Sequence, residues 1–188
     1  MSQRHPTHPI QVHSRRRLAH VLAVGLAMMA CGGDLSNTDA VQQLSAPSRA
    51  AFPPVADAMQ LNCGTLDCHG QVGRNMRLYG RYGLRLDPTY DPLTQETSDA
   101  EYDATYASIV GLEPEAMSAV VLHQAGPDAL TMVRKSRGIE QHKGGQLVSE
   151  GDPLDTCMVG WITGEGDAGA CNTVLNISRP EPPKTPDG

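Results

Sequence analysis

Two thiols and an imidazole stand close together in one short segment of the sequence. Cys63 and Cys68 are separated by four residues, and His69 follows the second cysteine directly. Thiolates act as nucleophiles, coordinate soft metals and oxidise to disulfides, and a neutral imidazole coordinates transition metals. The segment could therefore carry a covalently attached cofactor that contains a metal, hold a metal ion alone, or close a small disulfide loop.

The order Cys, Cys, His is that of the c-type haem attachment motif, C-x-x-C-H. In that motif the thiols hold the haem covalently, and the adjacent histidine is the proximal iron ligand. The spacer here has four residues instead of two, a variant found among c-type cytochromes because the longer loop can bulge while both sulfurs reach the porphyrin edge. We therefore expect Cys63 and Cys68 to hold one haem c, with His69 as its proximal ligand.

Two other interpretations of this segment stay open. Cys63 and Cys68 could form a disulfide with His69 uninvolved, which would make the protein a haem-free, disulfide-stapled envelope lipoprotein that acts as a binding module. Alternatively, Cys63, Cys68, His69 and His142 could form a Cys₂His₂ zinc site. Adjacent Cys68 and His69 are awkward ligands for one tetrahedral ion, and oxidation competes with zinc binding outside the cell.

A second iron ligand must lie well downstream of His69, so that the chain can reach the opposite face of the haem. His142 lies between Gly138 and the pair Gly144-Gly145, whose lack of side chains allows close approach to a flat ligand. We favour His142 as the second ligand, with Met132 as the alternative because thioether ligation is common in small cytochromes c. For His123, a helix end or the edge of the core is a sufficient explanation.

Several segments around the motif occur in a familiar order. Gly70 follows His69, Gly-Leu-Arg-Leu-Asp occupies 83–87, a leucine-containing helical segment covers 129–135, and His-Lys-Gly-Gly occupies 142–145. Over roughly residues 52–165 this order resembles the cytochrome c-like domains of exported planctomycete and myxobacterial proteins. The resemblance implies an electron carrier that works with a redox partner protein and is not an enzyme.

Local signals predict a mainly α domain with long loops. Residues 52–59 carry apolar side chains at helical spacing behind Pro53-Pro54, so a helix should run directly into the motif. Ser98 and Glu101 form a capping box for a helix that ends at Gly111. A short helix should follow Pro114, and a last one should begin at Asp152-Pro153. The alternating residues on either side of 79–83 suggest a short β-hairpin.

The N-terminal segment is typical of an export signal. Residues 1–17 hold four arginines and no acid, and an apolar run over 18–30 is too short to span a bilayer. The run ends at Met28-Met29-Ala30-Cys31, which resembles the bacterial lipoprotein box. The resemblance implies a lipoprotein signal peptide over 1–30, lipidation of Cys31, and export to the cell envelope. Gly32 after the lipidated cysteine is the usual pattern for the outer membrane, with the domain facing the periplasm.

Composition and cysteine parity complete the domain assignment. Small polar residues over 31–50 predict a flexible tether. The cytochrome c-like domain should cover 51–175, and the proline-rich segment 176–188 should be a disordered tail. Lipidation of Cys31 leaves four cysteines, and Cys157 and Cys171 can pair around a turn-rich stretch. Aromatic residues make up only 4%, which indicates either a loop-rich, stapled fold or a non-protein group at the centre. No basic patch follows residue 17, so no nucleic-acid partner is expected.

Overall fold

A computed structural model describes residues 42–91, 93–166 and 168–178. The secondary structure of these residues consists of six α-helices and one 3₁₀ turn, and no strand occurs among them. The helices are α1 Pro53–Cys63, α2 Asp99–Val110, α3 Pro114–Val121, α4 Thr131–Ser136, α5 Pro153–Thr163 and α6 Ala168–Ser178, with the 3₁₀ turn at Pro127–Ala129. The expected mainly α fold is confirmed.

Helices α1, α2, α3 and α5 begin where the local signals placed them, whereas α6 was not predicted. Proline occupies the first turn of α1, α3 and α5, where its missing N–H costs no hydrogen bond. At the start of α2, the Ser98 hydroxyl accepts from the Glu101 N–H and the Glu101 carboxylate accepts from the Ser98 N–H. This capping box satisfies two backbone donors at the helix start, and α2 ends before Gly111 as predicted.

The core lies where α1 packs against α5 and α6. The Phe52 ring centroid is 4.7 Å from that of Trp161 and 5.5 Å from that of Tyr106, so three of the few aromatic residues share one cluster. A disulfide between Cys157 and Cys171 joins α5 to α6, as the cysteine count predicted. These contacts hold α1 in place, and α1 ends at Cys63.

The predicted β-hairpin is wrong for residues 76–86. Tyr79 and Leu84 form a single bridge, and no strand develops on either side. The backbone of this segment bonds to side chains of α2 instead: Tyr79 N–H donates to Thr105 Oγ1 at 2.8 Å and Arg77 N–H to Ser108 Oγ at 2.7 Å. Because α2 satisfies these groups, a second strand is not needed.

The predicted tether is attached to the domain at its C-terminal end. Trp161 Nε1–H donates to the Ser48 carbonyl at 2.8 Å, and the Tyr106 hydroxyl donates to the Pro47 carbonyl at 2.7 Å. Residues 45–50 therefore belong to the domain and not to a free tether, while 31–41 lie outside the described residues. Likewise α6 extends to Ser178, so 176–178 are helical.

The signal peptide, Cys31 and the rest of the predicted tail also lie outside the described residues. Among the helices that are described, none combines the length and apolarity needed to cross a bilayer.

Candidate functional site

A cavity of about 580 Å³ lies between the end of α1, the loop that follows it, α4, and the loop after α4. Its volume falls within the range of about 300–1,000 Å³ that is usual for small-molecule and cofactor sites. The structure brings all five predicted haem-binding and ligand residues to this one cavity: Cys63, Cys68, His69, Met132 and His142. They come from four different parts of the chain.

The two cysteines differ in exposure and are not joined to each other. Cys63 is the last residue of α1 and is buried, and this burial raises the pKa of its thiol to about 12. Cys68 is partly exposed. Both are free thiols, whereas Cys157 and Cys171 are linked. Both sulfurs belong to residues that line the same cavity, so one group within it could be held by the two together.

The four-residue spacer folds into a compact turn. Cys68 N–H donates to the Thr65 carbonyl at 2.8 Å, and His69 N–H donates back to the Cys63 carbonyl at 3.0 Å. A Cβ atom at position 70 would lie 2.2 Å from the Gly64 carbonyl oxygen, so only glycine fits there. The turn therefore presents both sulfurs and the imidazole to one side, despite the two additional residues.

His69 is held firmly at the cavity wall. Its Nδ1 lies 2.9 Å from the Met76 carbonyl oxygen, and its own carbonyl accepts from Leu78 N–H at 2.9 Å. Nδ1 therefore carries the proton that it donates to Met76, and Nε2 is left for coordination. Burial lowers the pKa of the imidazole, which favours the neutral form that binds metals.

His142 faces His69 across the cavity. The two ring centroids are 5.9 Å apart and the ring planes differ by 24°. His142 Nδ1 lies 3.4 Å from the Gly145 carbonyl oxygen, so here too the bonded nitrogen is Nδ1. Both rings therefore border the cavity close to each other, and in each it is Nδ1 that lies near a backbone carbonyl.

The other two candidates for the second ligand are placed differently. Met132, on α4, is buried and lines the same cavity as His142. His123 follows α3, is exposed, has a positive φ of 55°, and does not line the cavity. The explanation of His123 as a helix-end residue is therefore adequate.

The rest of the cavity wall is mostly apolar, with cations at its edge. Four methionines line it, at positions 59, 76, 132 and 158, and sequence reasoning selected only one of them. Arg74, Lys135 and Lys143 also line the cavity, and Arg74 donates to the Cys68 and Asp67 carbonyls. Sequence reasoning named only Met132 as a candidate ligand, because a methionine at helical spacing cannot be told from an ordinary core residue.

A groove of about 530 Å³ adjoins the cavity and shares Arg74 and Leu112 with it. Arg77 lines this groove, and its buried Nε has no hydrogen-bond partner. The guanidinium of a residue that borders the groove could pair with a carboxylate placed there, such as an acidic side chain of a haem.

The zinc interpretation receives no support from the arrangement. In residues 42–91, 93–166 and 168–178, no three His, Cys, Asp or Glu side chains converge as a metal-ion site would require. A structural zinc ion needs four such ligands. A haem needs only one or two axial ligands from the protein, since its porphyrin supplies the other four.

Comparisons with known proteins found no match to the chain among protein-family models, curated proteins or solved structures.

Proposed function

We propose that this protein is a c-type cytochrome that transfers single electrons through one covalently bound haem in the bacterial cell envelope. Cys63 and Cys68 bind the haem covalently, and His69 and His142 are its iron ligands. One observation carries the proposal: two free thiols and two imidazoles line a single cavity of cofactor size. In each imidazole, it is Nδ1 that lies near a backbone carbonyl. Each of these features is expected of such a site, and together they favour it over the alternatives.

The disulfide-stapled alternative explains less of this arrangement. A Cys63–Cys68 disulfide would account for neither the 580 Å³ cavity nor the second imidazole opposite His69.

The chain's own residues would set the properties of the site. The haem supplies an iron that cycles between the ferrous and ferric states. His69 binds through Nε2, and the Met76 carbonyl holds the ring in the required tautomer. Four methionines supply apolar wall to the cavity, and Arg74 and Arg77 would neutralise the acidic side chains of a bound haem. Met132 is the alternative to His142 and would raise the reduction potential.

Membrane attachment completes the proposal. Lipidation of Cys31 would anchor the domain, in the outer membrane and on the periplasmic side, within reach of a redox partner protein. Because residues 45–50 bind to the domain, the free tether from Cys31 would end near residue 44. Replacing Cys31 by Ser should release the protein from the membrane fraction, and a variant that stays membrane-bound would contradict the anchor.

The decisive experiment is export of the full chain in a bacterium with a haem-attachment system. The protein should keep its red chromophore after denaturation, with an added mass of one haem. The double variant Cys63→Ser/Cys68→Ser should lose the chromophore. The matched control Cys157→Ser/Cys171→Ser removes the same number of thiols and should keep it. A colourless wild-type protein with Cys63 and Cys68 oxidised to each other would refute the proposal and favour the haem-free lipoprotein.

A further inference from the structure

A second cavity, of about 300 Å³, lies at the other end of α1 from the candidate haem cavity. It is lined by residues 46–48, the start of α1, the end of α3 and the second half of α5, and we call it the Trp161 pocket after the single tryptophan in its wall. Val55 of α1 lines this pocket, whereas Cys63 of α1 lines the haem cavity. These two residues are about 12 Å apart along the helix axis, so the cavities are separate sites.

The wall of the Trp161 pocket is uncharged. None of the described residues that line it is an acid, a base or a histidine, whereas acids, bases and two histidines line the haem cavity. The disulfide between Cys157 and Cys171 forms part of the wall and joins the two helices there. A charged ligand would lose its hydration in this pocket without gaining a counter-charge, so the pocket is suited to a neutral ligand.

The two hydroxyl side chains in this wall already have hydrogen-bond partners. The Ser48 hydroxyl accepts from Ala51 N–H at 3.3 Å, and the Thr163 hydroxyl donates to the Val159 carbonyl at 3.0 Å. The Ser48 carbonyl is also engaged, because it accepts from Trp161 Nε1–H at 2.8 Å. The pocket therefore offers a ligand mainly apolar contacts, as a hydrocarbon chain requires.

Exposed leucines lie beside the pocket. Leu122 directly follows Val121, which lines the pocket, and Leu122 is 48% exposed while Leu44 is 42% exposed. Ser45 N–H donates to Ser118 Oγ at 2.9 Å, which places Leu44 next to α3, about one turn before Leu122. Exposed apolar side chains around an apolar pocket are typical of a surface that contacts a membrane.

The chain outside the domain leads to this same side of it. Residues 46–48 form part of the pocket wall, and the described chain begins only a few residues earlier, at 42. The anchor proposed at Cys31 precedes Leu44 by a segment that spans at most about 45 Å when fully extended. Such an anchor would keep the Trp161 pocket within reach of the bilayer surface.

We propose that the Trp161 pocket takes one acyl chain of a bilayer phospholipid, and that this contact seats the domain on the membrane. Leu44 and Leu122 enter the interface around the bound chain, and the haem cavity, at the other end of α1, stays open to a redox partner. Binding is non-covalent and is driven by burial of apolar surface. This inference rests on the membrane attachment proposed above and not on the haem.

The test uses the lipidated full-length protein in phosphatidylcholine vesicles that contain a small fraction of a phospholipid with a diazirine in one acyl chain. After irradiation, peptide mass spectrometry should find the label within 43–55 or 157–166, the segments that form most of the pocket. A vesicle-bound protein that is labelled only elsewhere, or not at all, would overturn the inference. Labelling of the pocket by a diazirine fatty acid in solution, but not by the vesicles, would indicate a site for free fatty acids and would overturn it too.

Variants at exposed positions test the pocket without disturbing the core. Leu122→Glu should reduce labelling of the pocket about fivefold or more, because a carboxylate at its edge resists entry into the apolar layer. Leu86→Glu is the matched control: it makes the same change at a leucine that is also 48% exposed and lies outside the pocket wall, and labelling should not change. Ala51→Glu places a carboxylate in the wall itself and should reduce labelling as well.

The outcomes separate this inference from the proposed function. Wild-type labelling in both Leu122→Glu and Ala51→Glu would overturn the inference. A wild-type protein that is not retained by membranes would refute the anchor at Cys31 and this inference with it. A colourless protein that is still labelled in the Trp161 pocket would refute the haem alone and would support the inference.

Discussion

Replacing Glu101 by Ala should destabilise the domain by removing one of the links between the loop before α2 and that helix. The Glu101 side chain is fully buried, and its Oε1 lies 3.1 Å from Arg85 Nε and accepts from Leu86 N–H at 3.1 Å. Its Oε2 accepts from the N–H and hydroxyl of Ser98. One carboxylate therefore caps α2 and holds the loop that also carries Met76, the hydrogen-bond partner of His69.

The cost follows from what the truncation leaves behind. Arg85 is only 6% exposed at its side chain, so loss of Glu101 leaves a buried guanidinium without its counter-charge. Removing one partner of a buried ion pair typically costs about 3–5 kcal/mol. A domain of this size is stable by about 5–15 kcal/mol, so the change removes a large part of its unfolding free energy.

Urea denaturation would measure this cost, followed by the fluorescence of Trp161, the single tryptophan, and by circular dichroism. Glu96→Ala is the matched control. It removes a carboxylate from an ion pair with Arg81 in which Glu96 is 83% exposed, and should cost about 0–1 kcal/mol. Adding Arg85→Met to Glu101→Ala removes the unpaired charge, so the double variant should cost less than the sum of the two single variants. A Glu101→Ala effect as small as that of Glu96→Ala would refute the reasoning.

Two further predictions concern the network beside α1. Gly80→Ala should destabilise the protein by about 1–3 kcal/mol, because φ at Gly80 is 138° and an added Cβ would lie 2.4 Å from Gln60 Oε1. The control Gly73→Ala adds a Cβ in open space and should change the urea midpoint little. Burial raises the pKa of Asp57 despite its hydrogen bonds from Tyr102, so Asp57 favours folding at low pH and loses that contribution as pH rises through its raised pKa. The unfolding free energy of Asp57→Asn minus that of the wild type should therefore increase between pH 4 and 7, and a constant or falling difference would contradict the assignment.

The start of each predicted helix could be placed from sequence because its signals are local. A proline in the first turn, or a serine three residues before a glutamate, acts within one turn of backbone. The pairing of Cys157 with Cys171 followed from parity and short separation, and the structure confirms it.

The predictions of a hairpin over 76–86 and of a free tether over 45–50 were wrong because both depend on contacts with distant residues. Alternation over 76–86 is consistent with a strand, but whether a strand forms depends on its partner, and here that partner is α2 through Thr105 and Ser108. Residues 45–50 are small and polar, yet their carbonyls accept from Tyr106 and Trp161, which lie far along the chain. Composition carries no information about such distant donors.

The candidate site shows the same division. Sequence alone predicted which residues would bind a haem, from the order and types of Cys63, Cys68 and His69. Only the tertiary structure decided that His142 faces His69 at 5.9 Å, that Nδ1 is the bonded nitrogen of both rings, and that methionines line the space between α1 and α4. These facts depend on packing between segments some seventy residues apart in the chain. The distance across a cavity is set by the helices that enclose it, and no local sequence pattern encodes that distance.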